Sequence, residues 1–356
     1  MKLRDLQHLR DDKRIRFAEE VVNGETLTIV CYMVADPSLW KLPMANECRG
    51  AVFNAAGDCV VRPFHKFFNI GENEDTQTHL LQGKQFEVLE KRDGSMLTPV
   101  MVSGEIFWKT KKSFYSEVAV EATKNVPENV NLLAESYINA GMTPIFEYTS
   151  PFNKIVINYG DTPDFVLLAV RDTATGEYVP HAEMEKFSLG VKVIDKFDKS
   201  LEQCLSEVPT LTDFEGWCLR DTTTGFYCKL KTDWYLRNHR AQTELRERDV
   251  ADMVIDETID DIKSALALDN FDLIDILRIE QQVVSELSNL RGEVDSIVSG
   301  IEDKTNFKEV ALKFKTHPMF GLIMSAVRGS DVDLKKFWVN NYRENYSLKC
   351  VYNKNF

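Results

Sequence analysis

Lys91-Arg92-Asp93-Gly94-Ser95 is the segment that most constrains the fold and function of this 356-residue chain. It follows an apolar and acidic run, residues 86–90, that is typical of a β-strand. A lysine amine is nucleophilic only when uncharged, so a site that uses Lys91 must lower its pKa by burial or by cationic neighbours. Asp93 could orient the amine, and Gly94 could let the backbone approach a ligand or adopt a positive φ. Asp-Gly is also a strong hairpin signal, so a surface turn stays open as the alternative.

Three segments further along the chain could supply other parts of one reaction. Glu147 lies in a strand-like run between two aromatic residues, whose side chains would point to the opposite face. Glu215 precedes a glycine at the start of another run of strand character. Lys229 and Lys231 alternate in a third run, which puts both ammonium groups on one face of a strand. Two cations on one face suit a polyphosphate.

Two cations upstream also lie next to residues of strand character. They are Arg49, in Glu47-Cys48-Arg49-Gly50, and Lys66, in His65-Lys66-Phe67-Phe68-Asn69. Taken singly, each would more often be a solvated surface charge. Together with the downstream segments, they would add positive charge to the same site.

In combination, these motifs resemble those of the ATP-dependent RNA ligase 1 family, the phage enzymes that reseal broken tRNA anticodon loops. The similarity covers about residues 40–235. Residues 91–95 match the nucleotidyl-lysine motif, 146–151 the third motif, 215–216 the fourth, and 229–231 with Tyr235 the fifth. Residues 167–172 resemble a further strand of the family. DNA ligases and capping enzymes would not be expected to share residues 47–50 or 66–69, which favours the RNA ligase 1 family.

One segment departs from the family pattern. In Thr110-Lys111-Lys112-Ser113, Lys112 occupies the position where relatives usually have glycine. Only Lys111 is carried over from this segment as a candidate phosphate contact.

The resemblance implies an ATP-dependent RNA ligase that joins 3′-hydroxyl and 5′-phosphate RNA ends through a covalent lysyl-AMP and an RNA-adenylate. The expected substrates are ATP and nicked tRNA, with an end-healing kinase or phosphatase as a possible partner. Mg²⁺ or Mn²⁺ is the expected metal ion, held by Glu215 and Glu147. The expected catalytic residues are Lys91, Asp93, Lys229 and Lys231, and the expected ATP or phosphate contacts are Arg49, Lys66, Glu90, Gly94, Lys111, Glu147, Lys229 and Lys231. A monomer in the cytoplasm of an infected bacterium is expected.

The composition is that of a soluble globular protein, with 44% hydrophobic and 28% charged residues. No apolar run approaches the roughly 18 residues that a membrane-spanning helix requires, and residues 1–11 show no secretory signal pattern. The 7 cysteines are scattered and include no Cys-x-x-Cys pair. This pattern favours reduced thiols in the cytoplasm over a disulfide framework or a zinc site.

The net charge of −13 is unevenly distributed along the chain. Residues 243–303 carry 17 acidic and 5 basic side chains, whereas residues 304–356 carry 10 basic and 4 acidic ones. The acidic total therefore does not exclude a nucleic-acid partner, because distribution decides where phosphates can bind.

Residues 1–242 are rich in strand-like runs, with turns at Gly57, Gly104 and Gly176 and helical patterns at 116–124, 130–140 and 182–186. This mixture predicts an α+β fold with two antiparallel sheets and flanking helices. The family fold agrees, as a nucleotidyltransferase (adenylation) domain with ATP between the sheets. The predicted strands cover 26–34, 51–62, 85–90, 96–102, 105–109, 144–148, 165–171, 215–220 and 225–231.

Beyond residue 242, apolar residues recur at helical spacing, as at Ile255, Ile259, Ile262 and Leu266. Residues 243–356 are therefore predicted to form a separate all-α domain. The resemblance implies that this domain contacts tRNA or another RNA.

Two other functions stay open on the sequence. Another nucleotidyltransferase, a DNA ligase or a capping guanylyltransferase, would carry an OB-fold after the fifth motif, where helical patterns are found instead. A non-catalytic RNA-binding protein with a vestigial nucleotide pocket would tolerate loss of any motif residue, yet Lys91, Glu147, Glu215, Lys229 and Lys231 are all present.

Overall fold

The computed structural model describes residues 1–33, 37–153, 155–239, 244–268, 273–330 and 332–353. The chain divides into two compact units. The first comprises Met1–His8, Val21–Tyr32 and Leu42–Ala241, and the second comprises Leu9–Glu20, Met33–Lys41 and Gln242–Phe356. The second unit thus includes two N-terminal segments that the sequence pattern assigned to the first domain. The predicted boundary between residues 242 and 243 lies outside the described residues and stays a prediction.

Short strands and helices alternate up to residue 239. The strands are β1 (Ile15–Val22), β2 (Glu25–Tyr32), β3 (Arg49–Phe53), β4 (Cys59–Val61), β5 (Phe68–Asn69), β6 (Glu87–Lys91), β7 (Ser95–Val102), β8 (Glu105–Lys109), β9 (Met142–Thr149), β10 (Asp164–Asp172), β11 (Lys196–Phe197), β12 (Gly216–Arg220) and β13 (Tyr227–Lys231). The helices are α1 (Thr78–Leu81), α2 (Glu117–Asn125), α3 (Glu128–Asn139), α4 (His181–Lys186), α5 (Leu201–Glu207) and α6 (Asp233–His239). A 3₁₀ helix spans Leu3–Leu9, and single 3₁₀ turns occur at Leu39–Lys41, Ala45–Glu47 and Glu74–Thr76.

Two sheets of the first unit carry the motif residues. One has four strands in the order β10-β9-β7-β8, and the other has five in the order β11-β6-β12-β13-β5. Their pairings are antiparallel, except that β13 and β5 are parallel. A further sheet contains β2, β3 and β4 as neighbours. The predicted α+β class with antiparallel sheets and flanking helices is confirmed. Strand β1 was not predicted, and neither were β5 and β11, whose two residues each are too few to show an alternating pattern.

The two motif-bearing sheets pack face to face. Leu89 of β6 belongs to the same buried cluster as Val166 of β10, and Tyr227 of β13 to the same cluster as Ile145 of β9. The outer faces are covered by helices: α3 packs on β9, and Leu201 of α5 joins the core beneath Trp217. Burial of each large apolar side chain contributes about 1.5–3 kcal/mol to the stability of the fold. The packing of these side chains holds the two sheets together.

The second unit is mainly helical after residue 243, as predicted. Its elements are β14 (Glu244–Arg246), α7 (Glu247–Ile255), α8 (Ile259–Leu268), α9 (Ile274–Ser299), α10 (Phe307–Phe314), α11 (Phe320–Val327), α12 (Leu334–Asn341) and β15 (Cys350–Asn353). The antiparallel pair of β14 and β15 was not predicted. Trp338 and Tyr346 both donate hydrogen bonds to Oε2 of Glu286, which satisfies their polar atoms within the core. Across the described ranges, every helix is too short or too polar to cross a membrane.

Candidate active site

Strand register places Lys91 and Lys231 on either side of one glycine. Gly216 of β12 pairs with Lys91 of β6 on one side and with Lys231 of β13 on the other. A Cβ atom at position 216 would lie 2.0 Å from the carbonyl oxygen of Leu230, and the residue has a φ of +149°. Glycine is therefore required there, and the preceding residue, Glu215, enters the site between the two lysines.

Glu215 holds both lysines with one oxygen. Its Oε1 lies 2.7 Å from Nζ of Lys91 and 3.0 Å from Nζ of Lys231, while the residue itself is only 2% exposed. Burial favours a lower pKa for Lys91, but the carboxylate of Glu215 outweighs it and raises that pKa above its ordinary value. The amine is therefore charged in this arrangement, whereas attack requires the neutral form. The lowered pKa expected from the sequence is not observed, because the nearest charge is an anion.

Glu147 brings a second carboxylate to the same place from the facing sheet. It lies in β9 opposite Met96 of β7 and is buried. Burial raises the pKa of Glu147 to about 8, with Lys91 acting against the shift and Glu215 adding to it. Glu147 thus adds a carboxyl group with a raised pKa to the surroundings of the charged amine.

A pocket of about 210 Å³ opens between the two sheets beside this cluster. One wall is aromatic, since the rings of Phe64 and Phe67 meet edge to face at 5.6 Å and Phe64 meets Tyr227 at 5.4 Å. An apolar wall next to charged groups suits a ligand with a flat ring and a phosphate chain. The pocket is lined by Arg49, Phe64, Phe67, Leu89, Glu90, Lys91, Arg92, Gly94, Met96, Glu147, Leu168, Ile194, Cys218 and Tyr227.

Asp93 does not orient the amine of Lys91, contrary to the sequence-based expectation. Its Oδ2 accepts hydrogen bonds from the backbone N–H groups of Val156 and Ile157, at 2.8 and 2.9 Å. Its Oδ1 accepts one from the hydroxyl of Tyr235 at 2.7 Å. Asp93 therefore fastens the Lys91 segment to the loop after β9 and to helix α6.

Gly94 is required for a close approach to protein rather than for a positive φ. A Cβ atom there would lie 2.5 Å from the carbonyl oxygen of Tyr148 and 3.1 Å from Cγ of Glu147. The absence of a side chain thus lets the segment after Lys91 lie directly against β9. This contact sets the distance between Lys91 and Glu147.

Glu90 lines the pocket, and its backbone N–H is already used. That N–H donates to the carbonyl oxygen of Asp195 at 2.8 Å, so it is held within the sheet. The side-chain Oε2 is buried without a hydrogen-bond partner, and burial raises the pKa of the carboxyl group. Contact with a base from this residue could therefore come from the side chain or the carbonyl.

Arg49 reaches the pocket from the start of β3. Its Nη1 donates to the carbonyl oxygen of His65 at 3.3 Å, and its guanidinium carbon lies 5.0 Å from the ring centre of Phe67. The Nε atom is buried and donates no hydrogen bond. Arg49 therefore offers an unused donor at the pocket wall.

Four predicted cations do not line the pocket: Lys66, Lys111, Lys229 and Lys231. Nζ of Lys66 lies 3.9 Å from Oε1 of Glu72 and 4.9 Å from the ring centre of Phe68. Nζ of Lys111 lies 4.4 Å from the ring centre of Tyr32. Lys229 pairs in the sheet with the pocket residue Cys218, on the same strand face as Lys231. Their predicted phosphate contacts require a ligand that extends beyond the pocket wall.

From the sequence, Arg92 was considered only as a cationic neighbour of Lys91, and Lys109 was given no role in the site. Arg92 lines the pocket, where its Nη2 lies 2.8 Å from Oδ2 of Asp164 and its guanidinium carbon lies 4.1 Å from the ring centre of Tyr159. Lys109 is fully buried and donates to the carbonyl oxygen of Gly50 at 2.9 Å. The one indication in the sequence was that Lys109 ends a strand-like run. A lysine in such a position is buried only when its ammonium group has a partner, which would have suggested a polar contact.

Comparison with known proteins supports one family. The sequence profile described as RNA ligase matches residues 47–235. A candidate RNA ligase of Thermovibrio ammonificans is 30% identical over 316 residues, covering 83% of each chain. RNA ligase 1 of bacteriophage TS2126 is 27% identical over 286 residues, covering 76% of this chain and 70% of that protein.

Two further similarities were found. A candidate bifunctional polynucleotide kinase/RNA ligase of Autographa californica nuclear polyhedrosis virus is 29% identical over 247 residues, covering 62% of this chain but only 34% of the viral protein. The solved structure of an archaeal ATP-dependent RNA ligase is 15% identical, with a TM-score of 0.49 over 88% of this chain and 86% of the other.

The profile match covers more than half of the chain, and it includes the elements that carry Arg49, Lys91, Glu147, Glu215 and Lys231. The Thermovibrio relative extends the similarity over most of both chains. This protein belongs to the ATP-dependent RNA ligase family.

Proposed function

We propose that this ligase joins a 3′-hydroxyl RNA end to a 5′-phosphate RNA end through a covalent lysyl-AMP at Lys91. The observation that carries the proposal is the contact of one buried carboxylate, Glu215, with both Lys91 and Lys231 beside an apolar pocket. A nucleophilic amine, a second cation and a place for a flat base are the parts that adenylate transfer requires.

The reaction has three displacements at phosphorus. Lys91 first loses a proton to solvent, and its neutral amine then bonds to the α-phosphorus of ATP as the bond to the bridging oxygen of the β-phosphate breaks. Pyrophosphate leaves, and the nitrogen releases a second proton to solvent. An oxygen of the RNA 5′-phosphate then bonds to the same phosphorus and breaks the bond to nitrogen. Finally the 3′-hydroxyl oxygen bonds to the RNA 5′-phosphorus and releases AMP, with loss of the hydroxyl proton.

The carboxylates fit a divalent cation, Mg²⁺ or Mn²⁺. Oε2 of Glu215 is buried without a hydrogen-bond partner, and Glu147 supplies a second carboxyl group. The described residues hold no cluster of three or more His, Cys, Asp or Glu side chains suited to a metal, which agrees with an ion that keeps waters and phosphate oxygens as ligands. When bound, such an ion supplies positive charge that favours the neutral form of a neighbouring amine.

The remaining side chains bind and orient the nucleotide. Lys229 and Lys231 share a strand face and would contact the α-phosphate, while Arg49, with Lys66 and Lys111, would contact the outer phosphates or the incoming RNA end. Glu147 would also hydrogen-bond a ribose hydroxyl, because a carboxyl group with a pKa of about 8 can donate as well as accept. Base stacking on the aromatic wall would hold the adenine.

The natural substrate we propose is a tRNA broken in its anticodon loop, joined in the cytoplasm of an infected bacterium by a monomeric enzyme. Its support is the similarity to a phage RNA ligase 1 and the basic segment at residues 304–356. An end-healing kinase or phosphatase would prepare the termini. The viral relative described as a bifunctional polynucleotide kinase/RNA ligase supports this partner, because its name combines the two activities in one protein.

Covalent labelling tests the proposal. The protein is incubated with α-labelled ATP or GTP and Mg²⁺, and label that survives denaturation is measured. We expect label from ATP that is lost in Lys91→Ala but kept in Lys196→Ala. The side chain of Lys196 is 43% exposed and pairs with Glu87 outside the pocket. Label from GTP would indicate a capping enzyme, and no label would indicate a binding protein.

A second assay tests the polymer. A stem-loop with one break, made of RNA or of DNA, is presented with ATP and Mg²⁺. Sealing of the RNA break only is expected, and faster sealing of a break in an anticodon loop than in an unrelated loop would support tRNA repair. Equal sealing of DNA would contradict the assignment of RNA as the substrate.

A further inference from the structure

In the first unit, the buried carboxylate of Glu47 is held by two arginines, Arg62 and Arg171. Oε2 of Glu47 accepts hydrogen bonds from Nε of Arg62 at 3.2 Å and Nη1 of Arg171 at 2.8 Å, while Oε1 accepts from Nη2 of each, at 3.1 and 2.7 Å. The three residues are 8%, 7% and 4% exposed, respectively. Both arginines thus bind the same carboxylate through two bonds each, which fixes direction as well as distance. We call these residues the Glu47 triad.

The remaining donors of the Glu47 triad bind main-chain carbonyl groups. Arg171 donates to Pro63 and Gly176, both at 2.7 Å, and Arg62 donates to Ala174 at 2.9 Å. The triad therefore joins the turn before β3, the segment after β4 and the turn after β10. Glu47 and Arg171 are 124 residues apart, so the triad joins segments that are distant in sequence.

The segment that the triad fixes is the one that holds Arg49. Glu47 lies two residues before Arg49, and Pro63 two residues before His65, whose carbonyl accepts the hydrogen bond from Arg49. The ring of His65 is itself bound by the hydroxyl of Tyr178, at 2.9 Å from Nδ1. Both ends of the Arg49 contact are thus set by groups that the triad positions.

The Glu47 triad contains two guanidinium groups and one carboxylate, so it carries an excess of positive charge. Two buried guanidinium groups share one carboxylate, and the arginines overcome burial to lower the pKa of Glu47 to about 2. Burial of an excess positive charge is costly, and apolar side chains can often replace such a network without loss of stability. An anion bound at Arg49 would offset part of that cost.

We propose that Glu47, Arg62 and Arg171 are positioning residues that hold Arg49 for contact with the phosphates of ATP. This inference rests on the proposed function of the pocket and extends it to residues outside the pocket lining. The triad acts through Arg49, so its effect on ATP binding must vanish when Arg49 is removed.

A double-mutant cycle tests this dependence. The full-length parent carries Lys91→Met, which blocks covalent transfer, and the dissociation constant of ATP with Mg²⁺ is measured by calorimetry. Arg171→Lys keeps the positive charge but loses the two parallel hydrogen bonds of the guanidinium group to Glu47. We expect it to weaken ATP binding about tenfold. In the presence of Arg49→Ala, the same change should alter the constant less than about twofold.

A second pair of variants perturbs the triad from outside. A Cβ atom on Gly176 would lie 2.5 Å from Cζ of Arg62 at a φ of +86°, whereas Gly104 has a φ of +83° and open space around its Cβ position. Gly176→Ala and Gly104→Ala therefore carry similar backbone strain, but only the first displaces Arg62. Weaker ATP binding is expected in Gly176→Ala alone.

Two results would overturn the proposal: an equal loss of affinity from Arg171→Lys with and without Arg49, or equal effects of the two glycine variants. Lack of ATP binding by the parent would overturn it as well. If Arg171→Lys does not fold, the glycine pair decides. Labelling of the unaltered chain is judged separately, so failure of the ligase assignment is distinguished from failure of the triad.

Discussion

Nζ of Lys91 and Oε1 of Glu215 lie 2.7 Å apart, and the same oxygen also contacts Nζ of Lys231. One buried carboxylate thus serves as the counterion of two ammonium groups from different strands. Its removal would leave two like charges close together without a counterion. The chemistry of the pocket therefore depends on Glu215 as much as on the nucleophile.

We expect Glu215→Gln to slow transfer of adenylate to Lys91 by about a hundredfold or more, because an amide can neither balance two ammonium groups nor hold a divalent cation well. The rate of covalent labelling measures the effect. Glu87→Gln is the matched control, since Glu87 pairs with Lys196 and Arg220 in the same sheet but outside the pocket lining. Comparable losses in both variants would contradict the prediction.

The bonds of Asp93 predict a graded series of stabilities. Tyr235→Phe removes one of three hydrogen bonds to the carboxylate and should lower the free energy of unfolding by about 1 kcal/mol. Asp93→Asn replaces one carboxylate oxygen by an NH₂ group, which would face hydrogen-bond donors. It should lower the free energy of unfolding by about 2–3 kcal/mol. Chemical denaturation measures both. A larger loss in Tyr235→Phe than in Asp93→Asn would show that Asp93 does not fasten the loop.

Gly216→Ala should be the most damaging alanine substitution among the strand glycines of the site. The new Cβ would overlap the Leu230 carbonyl, and the φ of +149° excludes other side chains, so we expect a loss of about 3 kcal/mol or more. Adenylate transfer should fall with it. Gly104→Ala is the control, because its turn is open, and unfolding midpoints compare the two. A Gly216→Ala protein as stable as Gly104→Ala would refute the steric argument.

Acid should weaken the fold through Glu47. Its pKa is about 2 in the folded chain against 4.5 for a free carboxyl group, so the folded state favours the charged form. The contribution is complete above pH 4.5 and is lost as the pH falls towards 2, with a total of about 3 kcal/mol. Unfolding free energies of the unaltered chain and of Glu47→Gln should therefore converge over that range. A constant difference between the two proteins would exclude this role for Glu47.

The convergence of Lys91, Glu147, Glu215 and Lys231 could be anticipated from sequence, because each lies in or beside a strand whose alternation assigns a face. The register of the sheet then brings them together, because Gly216 pairs with both Lys91 and Lys231. The helices after residue 243 were predictable for a similar reason, since their apolar residues follow the helical period.

The partners of Asp93 and of Glu47 could not be anticipated in this way. Asp93 and Tyr235 are 142 residues apart, and Glu47 and Arg171 are 124 apart, so no local pattern connects them. The charge on Lys91 escaped prediction for a related reason: cationic neighbours are visible in the motif, but the anion that contacts it comes from another strand. Such contacts depend on tertiary packing.

The position of Gly216 between two lysine-bearing strands also limits how the gene for this protein can change. A deletion or insertion of one codon in β13 ahead of Lys229 would turn Lys229 and Lys231 to the opposite side of the sheet and inactivate the enzyme. The exposed turn at residues 221–225 carries no such constraint. Natural variants of this hairpin should therefore differ in length at the turn, while the two strands keep their residue count.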